Sequence, residues 1–114
     1  MSTESIRLNK FQIESFGTAM YPNKGDNLTY PVLGLCGEAG EVAEKLKKMY
    51  RDDDGQLTPE RREGLIGELG DVLWYVAAVA SELNVTLSDV AQGNMDKLYS
   101  RRDRGVLSGD GDDR

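Results

Sequence analysis

Apolar side chains recur along this chain at helical spacing, and proline, glycine and polar clusters cut the pattern into four segments. From about Ser5 to Met20, Leu8, Phe11, Phe16 and Ala19 trace a loose apolar face. It stops at Tyr21-Pro22, because a residue before proline is pushed out of helical backbone. A loop with Gly25 and Asn27 follows. Pro31, suited to a first helical turn, opens a second helix to about Tyr50, striped by Leu35, Ala39, Val42, Leu46 and Met49. Asp52-Asp53-Asp54-Gly55 breaks it. That acidic run resembles the start of a calcium loop, but the glycine and glutamate such a loop needs further on are missing, so it reads as solvated loop. Thr58 caps a third helix with Pro59 at its first position and Glu60 beside the positive end of the dipole. Its stripe of Leu65, Leu69, Val72, Val76, Val79 and Leu83 runs to about Leu83. Thr86, with Asp89 three residues on, resembles a capping box for a fourth helix to about Arg102, striped by Leu87, Val90, Ala91 and Leu98. The expected fold is an all-α four-helix bundle, one domain over 1–104 followed by a Gly/Asp-rich tail at 105–114.

One segment departs from a one-sided stripe. Val72 to Ala80 reads Val-Leu-Trp-Tyr-Val-Ala-Ala-Val-Ala, apolar or aromatic all round, so burial on both faces and self-association about a two-fold axis are expected. Trp74 and Tyr75 read as core or interface residues, with stacking on a base as the alternative.

Composition narrows the chemistry. A chain of 114 residues builds one core. Fourteen basic against twenty acidic residues leave a net charge of -6, the wrong sign for following a nucleic-acid backbone by electrostatics. The absence of histidine removes Ser-His and Cys-His nucleophile systems, histidine-ligated zinc and the Glu-x-x-His ligands of di-iron bundles. The one cysteine, Cys36, makes no intramolecular disulfide, no charged-then-apolar leader precedes Leu8, and the unbroken apolar run Val76 to Ala80 is too short to span a bilayer. A soluble, cytoplasmic chain with no membrane partner is the expectation, and the Asn-x-Thr triplets at Asn27 and Asn84 are expected to stay unglycosylated.

The chemistry lies in a repeat. Gly37-Glu38-Ala39-Gly40-Glu41-Val42 recurs thirty residues later as Gly67-Glu68-Leu69-Gly70-Asp71-Val72. Residues i and i+3 lie about 60° apart on a helix, so each segment sets two carboxylates side by side. Each acid precedes a stripe residue by one position, which puts both pairs on the same side of two helices expected to pack together. A lone Glu-x-x-Glu would read as a solvated face. Here, however, four glycines sit inside helices beside the acids, at about 1 kcal/mol each relative to alanine. They make sense if backbones approach closely or a bulky anionic ligand must reach the acids. Four carboxylates without histidine or thiolate make a hard-oxygen site suited to Mg²⁺ or Mn²⁺.

On the fourth helix Asn94 interrupts the apolar stripe, flanked by Lys97 and Arg101. Asn94 is either a satisfied core asparagine or a substrate-facing one. Metal-holding acids opposite cations describe a phosphate site, in which metals bridge phosphate oxygens and the cations take the remaining charge. Arg102 and Arg104 add cations that a solvated helix end explains almost as well.

At these residues the chain resembles the MazG-like branch of the all-α nucleoside triphosphate pyrophosphohydrolases, marked by Glu-x-x-Glu and then Glu-x-x-Asp on the next helix, here Glu38, Glu41, Glu68 and Asp71. The likeness runs through Leu33-Gly34-Leu35, Glu44-Lys45, Gly70-Asp71-Val72-Leu73-Trp74-Tyr75, Asn94 and Lys97-Leu98. It reaches the closing Arg104-Gly105 and Gly109-Asp110-Gly111-Asp112-Asp113-Arg114. The resemblance implies Mg²⁺-dependent hydrolysis of (deoxy)nucleoside triphosphate to monophosphate and pyrophosphate by a homodimer or homotetramer. It implies the four acids as metal ligands, Lys45, Asn94, Lys97 and Arg101 on phosphate or sugar, and Glu41 and Lys97 in catalysis. Some relatives carry a further Glu directly before the first acid; this chain has Gly37 there, which leaves Glu41 or an ionised water on the metal as the base. Two rival readings stand beside this one. The same site could act on phosphoribosyl-ATP, a nucleoside diphosphate or an alarmone, or the chain could be a metal- or nucleotide-binding helical module without turnover.

Overall fold

A computed structural model describes residues 5–114; the first four residues of the domain expected over 1–104 lie outside the described residues. Those described form four helices and no strand: α1 Leu8–Gly17, α2 Thr29–Asp52, α3 Pro59–Glu82 and α4 Leu87–Asp103. The expected all-α class holds.

The boundaries differ where local hydrogen bonds compete with the pattern. α1 is shorter than the expected 5–20 at both ends. Arg7 is extended at its start, and at its end the Thr18 hydroxyl and amide both donate to the Ser15 carbonyl, at 2.6 and 3.0 Å, which closes the last turn. α2 begins before Pro31, because Asn27 Oδ1 accepts from the Tyr30 amide at 3.0 Å. Pro31 then sits in the first turn, where a missing N–H costs nothing. The starts of α3 and α4 agree with expectation: Thr58 Oγ1 accepts from the Arg61 amide and Thr86 Oγ1 from the Asp89 amide, both at 3.1 Å.

α3 is the central element. It packs along α2 on one side and α1 on another, while α4 leans on α1 and meets α3 only slightly; the α2 and α4 backbones stay apart, with Leu35 and Val90 lining an apolar hollow between the elements. Three small side chains, Ala77, Ala78 and Ala80, are buried where these helices meet α3. Buried Gln12 stitches α1 to the α3–α4 corner: its Nε2 donates to Val85 O at 2.8 Å and Ser81 Oγ at 3.2 Å, and its Oε1 accepts from the Leu87 amide at 2.7 Å. The bundle is therefore open on one flank. Its radius of gyration is 17.0 Å against about 13 Å for a compact chain of this length. Its surface of 8276 Å² stands against about 6200 Å² for a folded monomer of this mass.

By length and composition alone α3 could cross a bilayer, with a mean hydropathy of 1.3 over its most apolar window, which the test of an unbroken run passes over. In the fold it is the helix on which α1 and α2 pack. The tail is folded rather than trailing. Gly105, at φ 73°, ends α4, and the Arg114 guanidinium donates to the carbonyls of Val106 at 3.1 Å, Leu107 at 2.8 Å and Gly111, closing 106–114 into a loop.

Candidate active site

α2 and α3 run antiparallel, so Gly34 faces Tyr75, Glu38 faces Glu68 and Asp71, and Lys45 faces Gly64 and Glu68. Glu38, Glu68 and Asp71 each present a carboxylate oxygen, and these three atoms lie within 4.8 Å of one another. One Glu68 oxygen, Oε2, is buried without a hydrogen-bond partner; the other, Oε1, is 3.5 Å from Lys45 Nζ. Loss of water, then the close approach of the Glu68 carboxylate, then the charges of Asp71, Glu68 and Glu41 push the Glu38 carboxyl above the usual range. Three acids held this close repel unless a cation sits among them. Oxygen donors alone, one of them a buried and unpaired atom, fit a hard divalent ion.

The fourth acid is apart. Glu41 is exposed, one turn further along α2, and does not join the group. Nor do the neighbouring glycines serve helix packing: a Cβ at Gly37, Gly40, Gly67 or Gly70 would meet nothing within 4 Å. Close approach occurs instead at Gly34, where a Cβ would fall within 2.6 Å of three ring carbons of Tyr75.

That ring forms a wall shared by two hollows. One, of about 320 Å³, is lined by Glu38, Asp71, Trp74 and Tyr75; the other, of about 240 Å³, by Met20, Tyr21, Pro22, Tyr30, Trp74 and Tyr75. The Trp74 and Tyr75 rings meet edge to face at 4.9 Å, and Tyr21 stacks on Tyr30 at 4.8 Å. Burial, then the charges of Tyr30, Glu38 and Asp71, push the Tyr75 hydroxyl up. Trp74 Nε1 donates to Thr18 Oγ1 at 3.0 Å, which ties the wall to the end of α1. Glu82, at the end of α3, fixes the opposite loop by accepting from the Tyr21 hydroxyl at 2.5 Å, the Gly25 amide at 2.8 Å and the Asn27 amide at 3.2 Å. Burial opposes the charge of Glu82, but those three donors outweigh it and hold its carboxyl below the usual range.

The α4 residues stand elsewhere. Lys97 Nζ and Arg101 Nη2 both hold Asp112 of the tail, at 2.7 and 2.9 Å, and none of the four acids. Arg101 is 5% exposed, also donates to the Asp112 carbonyl, and keeps a buried Nε without a partner. Asn94 is exposed on α4. Arg102 pairs with Asp103 and lies over the Tyr99 ring, and Arg104 binds Ser100 and the Arg114 carbonyl. Within one chain the fold thus gathers Glu38, Glu68, Asp71 and Lys45, and leaves Glu41, Asn94, Lys97 and Arg101 outside the group. Tyr21, Tyr30 and Glu82 were not singled out by sequence. Their pairings span long separations and leave no periodic signal.

Residues 27–106 match the MazG nucleotide pyrophosphohydrolase domain. The chain belongs to that family. It is 53% identical to the Gene 37 protein of Mycobacterium phage L5, over 96% of this chain and the whole of that one. It is 32% identical to the uncharacterized protein YvdC of Bacillus subtilis (strain 168), over 59% of this chain and 68% of that one. No solved structure matches. The acids that could hold the divalent metal typical of MazG domains lie inside the matched span, as does the Trp74–Tyr75 wall.

Proposed function

We propose that this MazG-family chain hydrolyses nucleoside triphosphates, deoxynucleotides included, to monophosphate and pyrophosphate with Mg²⁺, Mn²⁺ serving as a substitute. The observation that carries this reading is the adjacency of the Glu38–Glu68–Asp71 triad to an aromatic hollow through the shared wall of Trp74 and Tyr75. A triphosphate needs cations at one end and a flat apolar surface at the other.

Glu38, Glu68 and Asp71 hold the metal in this reading, and Glu41 stands outside the triad on its rim. When bound, the ion neutralises phosphate oxygens and acidifies a water. The protein's own groups orient the rest. The oxygen of water bonds to the α-phosphorus, the bond to the α–β bridging oxygen breaks, and pyrophosphate leaves; Glu41, exposed one turn from Glu38, takes the proton. Trp74 and Tyr75 exclude water from one side of the triad and offer the base a face to stack on. Lys45 neutralises charge beside Glu68.

Asn94, Lys97 and Arg101 are assigned to phosphate or sugar, with Lys97 assisting departure of pyrophosphate. Because Lys97 and Arg101 hold Asp112 rather than facing the acids, and the α4 backbone stays apart from α2 in one chain, we assign their delivery to a second copy in a homodimer or homotetramer. The open flank supports this: Leu33, Leu69 and Leu83 are all more than half exposed, a cost an isolated monomer would carry in water. A cytoplasmic location accords with the single free cysteine.

The test is a panel of canonical and modified nucleotides incubated with Mg²⁺ and analysed for products. Monophosphate with pyrophosphate, abolished by EDTA, is the expected result. Orthophosphate as the main product would overturn the assignment.

A further inference from the structure

The Lys45–Glu68 pair is an incomplete ion pair. Lys45 Nζ is 3.5 Å from Glu68 Oε1, beyond a good charge-assisted hydrogen bond, and Glu68 Oε2 is buried with no partner. A salt bridge serving only to join α2 to α3 would leave no such orphan, because an unpaired buried carboxylate oxygen is costly. The lysine stem reaches this position by lying along α3 at Gly64, whose added Cβ would sit 3.5 Å from Lys45 Cδ and 3.9 Å from Nζ. Glu68 stands between two claims. Lys45 meets it from one side along the helix pair, and Glu38 and Asp71 converge on it from the other. The Lys45 side chain is 36% exposed, so its ammonium has water or an arriving anion as an alternative partner, whereas the Glu68 side chain, 14% exposed, has little.

We infer that Lys45 is a stand-in cation: it occupies the electrostatic place of a metal at Glu68 in the metal-free protein, so that full metal loading requires the nucleotide. This rests on the reading of the triad as a metal site. The triad carries three negative charges and Glu41 on the rim a fourth, of which Lys45 offsets one, so a first divalent ion leaves a single negative charge. A further divalent ion would overshoot that charge until the triphosphate brings its own. With a metal on Glu68, the Lys45 ammonium would lose its partner and be free to pair with an arriving anion. Lys45 is thus a positioning residue that couples metal affinity to substrate.

The coupling is measurable without turnover. Free Mn²⁺ is followed by electron paramagnetic resonance as the full-length protein is titrated, with and without a deoxynucleoside triphosphate carrying an imido bridge between its α and β phosphorus atoms. In the absence of nucleotide, Lys45→Met should bind Mn²⁺ about tenfold more tightly than wild type, equivalent to about 1.4 kcal/mol. Lys45→Arg, which keeps the charge, should stay within about twofold of wild type. The gain in Mn²⁺ affinity on adding the nucleotide analogue should shrink in Lys45→Met by about the same factor. Lys45→Gln repeats the measurement should Lys45→Met fail to fold. Unchanged or weaker Mn²⁺ binding in the neutral variants, with Glu68→Gln losing the ion, overturns the inference and leaves the metal site standing. Mn²⁺ binding undiminished in Glu68→Gln removes the site reading and this inference together.

Discussion

The close approach of Tyr75 to Gly34 makes a sign-reversing test of the site's architecture. Glycine in a helix interior costs about 1 kcal/mol relative to alanine, so Gly34→Ala should stabilise α2 if nothing else changes. In this fold the new methyl carbon would lie within 2.6 Å of three carbons of the Tyr75 ring, closer than any real contact. A ring is rigid and cannot yield as the tip of a lysine would. Overpacking of this kind costs about 1–3 kcal/mol. The two effects oppose one another, and the clash wins by about 1 kcal/mol at the middle of that range. Gly34→Ala should then lower the Tm by about 4 °C for a domain of this size. With the ring removed in a Tyr75→Ala background, only helix propensity remains, and the same substitution should raise the Tm by about 4 °C. A double-mutant cycle by thermal denaturation isolates the reversal, because each single variant removes or adds one side of the same contact. Nucleotide turnover should fall in Gly34→Ala as the shared wall of the two hollows shifts. An equal rise in Tm in both backgrounds would refute the placement of Tyr75 over α2.

Three further outcomes are expected. Asp71→Asn and Glu41→Gln should leave the metal-free protein as stable as wild type or slightly more so, while Asp71→Asn loses most of a Mn²⁺-dependent rise in Tm, worth about 1.4 kcal/mol at tenfold Kd, along with turnover. Hydrogen bonds from Lys97 and then Arg101 hold the Asp112 carboxyl down at about 2, below its unfolded value of 3.8, so its contribution to stability is present above pH ~4 and lost as pH falls toward ~2. Asp112→Asn should therefore melt below wild type at neutral pH and converge with it below pH ~2. The wild-type protein should sediment as a dimer or larger, and Val76→Asp, which puts a charge into the apolar hollow of Leu35, Val79 and Leu83, should dissociate or unfold it; a stable wild-type monomer would count against the second copy.

Helices and acids were legible because both are periodic. Spacing alone put the two acid pairs on the same side of α2 and α3, and capping residues Thr58 and Thr86 marked two helix starts to the residue. Spacing could not separate Glu41 from the triad. A 60° step around α2 and the rise of nearly one turn are enough to carry a short carboxylate out of reach. It also could not show that α2 and α4 stand apart, since a stripe says that a face is buried and not against what. The glycines beside the acids read as packing or as access for a ligand, and the open space around Gly37, Gly40, Gly67 and Gly70 removes the first within one chain. Gln12 and Glu82 were invisible for another reason. Each acts through polar contacts between distant segments, where residue type sets only what can bond.

The triad lies wholly within the hairpin of α2 and α3, which has consequences for when the site exists. Contacts across one short connection form quickly and outlast those made by elements docked from outside, because little chain must be ordered to bring them together. The expected hierarchy under native-state hydrogen exchange is early opening of α1 and α4, with amides of α2 and α3 facing the triad protected longest. A divalent ion present during synthesis would meet its ligands as soon as α3 emerges, before the aromatic wall is tied to α1 through Thr18. On the proposed reading, metal capture would thus belong to the folding of this protein as well as to its turnover.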